Sequence, residues 1–150
     1  MNEKRMLEKQ KLHRAAQDKY TYFLLAAAAA AIAYAMKLTA SSSFSYSMIP
    51  LGIAVLLWAA SFFSGCHQLR YVLVILLGNI ELERIVQGVH PLIGPDPGLR
   101  STMAETMNDV MVKNSHNANK YAHLQFNFLF VGAGFFVLWH LLEMYKRGVH

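Results

Sequence analysis

The side chains in this sequence that could bind or react are few, and most lie at the edges of apolar runs. His116 and His123 stand seven residues apart with Lys120 between them, which puts both on one helical face. Two histidines grip a divalent metal best at four-residue spacing. At seven the rings are two turns apart, and contact with water or lipid headgroups is the better reading. Met103, Met107 and Met111 recur at i, i+4 and i+8, and thioethers are soft ligands for Cu(I). No cysteine joins them. Together with Val110 they form a stripe suited to packing a hairpin or meeting a partner. His140 and Glu143 are three apart and could bond to one another, although interfacial solvation accounts for both. Asn127 is the better candidate for an interhelical hydrogen bond.

Cys66 and His67 are neighbours and point in different directions on a helix, so they make no nucleophile–base pair. His67 and Arg70 close the longest uncharged stretch. They read as the positive anchor of a single helix or, if copies form a ring, as a pore mouth whose repeated charge sets ion selectivity. No Ser-His-Asp set, phosphate-binding glycine loop or HExxH occurs. The sequence therefore implies no enzyme, no cofactor and no metal.

The elements that must position these residues are apolar helices. The chain has 150 residues, 55% of them hydrophobic and 15% charged, with mean hydropathy +0.27. A soluble domain carries about 25% charged residues. The formal charge is +5, but the basic residues cluster beside apolar segments, where anionic headgroups explain them better than nucleic acid does. The single cysteine allows no intrachain disulfide.

The chain divides as follows. Residues 1–19 form a basic helix, which either lies on anionic lipid or extends the first span. Residues 20–36 are the first transmembrane helix, with an alanine run that lets other backbones approach closely. A signal-sequence reading of residues 1–35, with Ala33-Tyr34-Ala35 as the cleavage site, conflicts with a long leader that contains acids. Lys37–Ser47 is a serine-rich connection. Residues 48–90 form a second span, whose Met48–Ser64 portion carries no charge, continuing as a stalk; the alternative is a kink at Gly65. Residues 91–98 are a proline- and glycine-rich hinge. Residues 99–123 are an amphipathic helix capped at Ser101 or Thr102, with Glu105 completing a capping box and a local break conceivable near Asn114–Asn119. Residues 124–143 are the third span and 144–150 a tail; Trp139 near the end of the span and Tyr145, Lys146 and Arg147 of the tail anchor the interface.

The expected fold is thus all-α: a polytopic integral membrane protein with three transmembrane helices and a cytoplasmic helical hairpin. Lys and Arg counts in the flanks place the N-terminus in the cytoplasm and the C-terminus outside, in a bacterial inner membrane. Three spans from one short chain enclose little, so the first functional expectation is a homo-oligomer contacting membrane lipid, a pore or membrane-perturbing effector gated through the hairpin. In layout alone the chain looks like the small multi-span effectors of bacterial defence systems. The second expectation is a non-catalytic accessory or scaffold subunit, with the hairpin meeting a different protein. A transporter would show internal repeats and charges at the midplane, and the sequence has neither.

Overall fold

The computed structural model describes the backbone of residues 2–40, 45–93 and 96–148, and the side chains of these apart from 2–15, 17, 18 and 147. The serine run of the first connection and the side chain of Arg147 lie outside the described residues. Among the described residues there are three helices and one 3₁₀ turn. Helix α1 is Asn2–Thr39, the 3₁₀ turn is Tyr46–Met48, α2 is Ile49–Gln87 and α3 is Pro97–Gly148. Three stretches are long and apolar enough to cross a membrane: Lys19–Thr39 of α1, Tyr46–Gln87 of the 3₁₀ turn and α2, and Pro97–Lys146 of α3. No strand occurs among the described residues.

All three helices are longer than their apolar segments require. The charged leader and the first span are a single helix. Helix α2 is unbroken through Gly65, so its 39 residues extend about 58 Å at 1.5 Å per residue. Helix α3 passes through Asn114, Asn117 and Asn119 into the last apolar segment without a break. The low helix propensity of asparagine amounts to about 0.7 kcal/mol per residue, too little to interrupt a helix packed along its length.

The helix ends explain where the chain turns. Gly88, at φ +73°, follows α2 and lets the backbone swing left-handed. Its N–H donates to Ile85 O and that of Val89 to Arg84 O, each at 3.1 Å, which satisfies two terminal carbonyls. The Arg100 guanidinium takes more: Nε donates to Ile85 O at 3.0 Å and Nη2 to Val86 O. A cation here also complements the negative end of the helix dipole. Asp96 caps α3, its Oδ1 accepting from the N–H groups of Gly98 at 2.8 Å and Leu99 at 3.3 Å. This corrects the cap expected at Ser101 or Thr102, whose hydroxyls instead donate back to Gly98 O. Pro97 belongs to the helix and not to a hinge, because its fixed φ and missing N–H suit a first helical position. Gly88→Ala should cost about 1–2 kcal/mol, since a Cβ there is strained by the backbone and meets Arg100 Nη1 at 3.3 Å. Urea or thermal unfolding in detergent tests this, and an unchanged midpoint would overturn it.

The chain forms two compact units. The first comprises Met1–Gly65 and Leu124–His150, the second Cys66–His123. In the first, α1 buries Thr21, Leu24, Ala28 and Ala35, and α2 buries Leu51, Ala54, Trp58, Ser61 and Gly65. Helix α3 buries Gln125, Gly132 and Trp139, with Leu129 and Phe136 half-buried between them. These positions recur at alternating steps of three and four, the spacing of a left-handed helix bundle. Small residues dominate the seams while Phe23, Leu56, Phe63, Phe130 and Leu141 face outward. That is the distribution expected where lipid covers the outside and close backbone approach holds the inside.

In the second unit α2 and α3 pack along a seam of the same spacing. Ile85, Met111 and Ala118 are buried. Gly78 makes room for Met111, whose Cγ and Sδ would lie 3.1 and 3.2 Å from a Cβ placed there.

Candidate functional site

The polar residues of the first unit are structural in their bonding. Trp58 lies over Gly132, where an added Cβ would meet its Cδ1 and Nε1 at 2.7 Å. The indole Nε1 donates to Leu129 O at 3.2 Å. Ser61, fully buried, donates to Gln125 O at 2.7 Å. The Gln125 side chain is also fully buried, and neither of its polar atoms has a hydrogen-bond partner among the described residues. These contacts occupy the role expected of Asn127, which lies two residues away on the exposed face of α3. The two-residue offset rotates a side chain by about 200° on a helix, enough to exchange the inside for the outside.

The end of α3 is tied to the connection before α2. Ser47 Oγ donates to Glu143 Oε1 at 2.6 Å, and Lys146 Nζ donates to Ser45 Oγ at 3.3 Å. Glu143 is thus engaged by Ser47. His140 is exposed, its ring 6.3 Å from that of Trp139. A recess of about 430 Å³ opens here, lined by Tyr34, Leu38, Phe136, Trp139, His140, Glu143 and Met144. Tyr145 and Lys146, expected with Trp139 as interface anchors, are exposed. Trp139 differs from that expectation: it is buried in the core cluster with Ala35, Leu51, Ala54 and Trp58, and its ring packs 5.6 Å from Phe136. An indole of that size fills the space left by the alanines facing it, which outweighs its preference for the interface.

The second unit gathers more chemistry. The ring of Tyr121 stacks on His67 at 5.2 Å and on Tyr71 at 5.6 Å, with interplanar angles of 21° and 20°. A recess of about 290 Å³ adjoins this stack, lined by His67, Arg70, Tyr71, Val74, Asn114 and Tyr121. Asn114 Nδ2 donates one N–H to Val110 O at 2.8 Å, which leaves its second N–H and its carbonyl oxygen to offer a ligand. Tyr121 and Asn114 escaped the reading of the sequence. Their spacing of seven from one another puts them on one face of α3, and that was the available signal. His116 and His123 are exposed on the same helix. Among the described residues, no three or more His, Cys, Asp or Glu side chains gather as a metal-binding set.

The methionine stripe divides. Met111 is buried and Met107 half-buried in the seam of the second unit, while Met103 and Val110 are 45% exposed on its flank. The unit presents a second apolar face, formed by Leu73, Leu76, Leu77 and Ile80 of α2, which are 45–54% exposed.

No known protein family, curated protein or solved structure matches the chain.

Proposed function

We propose that the protein is a non-catalytic membrane protein that self-associates, and that its hairpin, on the cytoplasmic side with the N-terminus, is the part through which assembly is made and controlled. The observation that carries this reading is the outer face of α2 at Leu73, Leu76, Leu77 and Ile80. The hydrocarbon core is about 30 Å thick and covers about 20 residues of a helix. Counted from Met48, that thickness ends near His67–Arg70, and the stripe begins beyond it. A row of leucines outside the bilayer needs a cover. Copies inserted in the same sense bring identical stripes side by side, which suits a closed symmetric assembly. A pore is the form of that assembly in which Arg70 repeats around an axis. An accessory subunit would use the same stripe on a different chain.

Native mass spectrometry after extraction in nanodiscs tests the reading. A defined oligomer is expected, and Leu73→Asp combined with Leu77→Asp should shift it at least tenfold toward monomer, because burying unpaired carboxylates costs several kcal/mol. A monomeric parent protein would overturn self-association and favour the accessory role.

A further inference from the structure

We infer that the recess lined by His67, Arg70, Tyr71, Val74, Asn114 and Tyr121 binds a phosphodiester, and that its source is the headgroup of an anionic phospholipid. Three observations carry this.

The first is charge. From Cys66 to Ile80 and from Val110 to Asn127 the chain carries Arg70, Lys113 and Lys120, with His67, His116 and His123, and not one aspartate or glutamate. These two stretches supply every residue that lines the recess, so an anion there meets only attraction from its walls and their neighbours in sequence.

The second is the donor set. The Arg70 guanidinium is exposed and makes a two-pronged match to phosphate oxygens. The His67 ring is held by its stack on Tyr121, and Tyr121 in turn by Tyr71, so the wall is ordered before any ligand arrives. The tyrosines bring hydroxyl donors. Asn114 uses one amide N–H on Val110 O and keeps the other for a phosphate oxygen, and its carbonyl oxygen suits a hydroxyl of the ligand. Phosphate with a neighbouring hydroxyl describes a phosphoglycerol headgroup.

The third is position. His67 stands three residues after the uncharged stretch Met48–Ser64. A helix that crosses the bilayer with that stretch delivers the recess to headgroup level, where phosphodiesters are concentrated and basic pockets between helices select anionic lipid. The inference rests on membrane insertion and not on self-association: a monomer would bind the lipid equally.

The test is lipid binding by native mass spectrometry of the full chain in detergent, with phosphatidylglycerol, phosphatidylcholine and soluble glycerol phosphate as probes. Phosphatidylglycerol should bind at least about tenfold more tightly than phosphatidylcholine, the scale of one charge-assisted contact. Arg70→Gln should remove that preference. Tyr121→Phe keeps the ring stack and His67→Phe keeps an aromatic on it, so each should weaken the preference without unfolding, and circular dichroism checks the helix content. Lys37→Gln, in the other unit, should leave it unchanged. Glycerol phosphate binding as tightly as the lipid would keep the phosphate site but overturn its assignment to a lipid. Equal binding of the two lipids, or an unaltered preference in Arg70→Gln, would overturn the site. An oligomer that breaks down on Leu73→Asp while still preferring phosphatidylglycerol would show the two properties to be separate.

Discussion

Gly132→Ala should destabilise the first unit by about 1–3 kcal/mol, whereas Gly134→Ala, two residues along the same helix, should be neutral or stabilising by up to about 1 kcal/mol. The two glycines flank Ala133 and look equivalent in sequence. A methyl at Gly132 would lie 2.7 Å from both Cδ1 and Nε1 of Trp58 and 3.2 Å from the carbonyl oxygen of Ala54. None of these can yield cheaply. The indole is rigid, nine-tenths buried and bonded to Leu129 O, and the Ala54 oxygen is backbone. Relief requires α3 to move away from α2, which gives up the Trp58 hydrogen bond and its packing against Phe136, 5.7 Å away. A methyl at Gly134 meets nothing within 4 Å and only relieves the backbone entropy of glycine. Thermal unfolding in detergent, followed by tryptophan emission, reads both. Equal midpoints for the two variants would show that Trp58 is not seated on Gly132.

That contrast also shows what sequence could and could not reveal. Three long apolar stretches are legible from composition because lipid selects hydrophobicity over a whole segment, and the structure has three helices able to span. Which face of each turns inward is not legible, because a helix apolar all round has no hydrophobic side to read. The inward positions here go to Ala28, Ala35, Ala54, Ser61, Gly65 and Gly132 beside Leu24, Leu51, Trp58 and Trp139, while Phe23, Leu56, Phe63 and Phe130 face out. The rule that serves soluble helices therefore does not separate the faces in the first unit. It serves better in the second unit, where polar residues mark the outside: Met107 and Met111 do face the seam. Even there Met103 and Val110 drop out, because the seam advances by three and four residues along α3 and a simple four-residue step leaves it. Gly65 could equally have marked a kink. It serves as a socket, since a Cβ there would meet Gln125 Nε2 at 2.5 Å and Leu25 Cδ2 at 2.7 Å. The recess around Tyr121 was half legible. His67 and Arg70 stood out as charges beside an apolar run, but Tyr121 and Asn114 come from a helix more than forty positions further on. Only the antiparallel pairing of α2 and α3 brings them together.

Gln125→Met should make the protein more stable, by about 1–3 kcal/mol, the cost of one or two buried polar atoms left without partners. The glutamine side chain is completely enclosed, with its amide nitrogen and oxygen both unbonded among the described residues. Methionine keeps its length and fills the socket opposite Gly65 without a desolvated dipole. The one strong bond at this level survives the change, because Ser61 donates to the backbone oxygen of residue 125 and not to its side chain. Gly65→Ala should act in the opposite sense, since it drives a methyl into the same socket. A residue whose removal is stabilising must have another use, and the best-attested use of a lone polar group in a helix seam is to fix register. Sliding α3 by one heptad along α2 would set Trp58 or Val72 in place of Gly65 opposite position 125, and the flexible thioether of methionine adapts to a bulkier apolar neighbour more readily than the planar, polar end of glutamine. The methionine variant should therefore melt higher yet show broader disulfide cross-linking between cysteines introduced along the facing seams of α2 and α3, once Cys66 is replaced by serine. A lower melting point would mean that the glutamine has a partner in the folded protein, and unchanged cross-linking would remove its role in setting register.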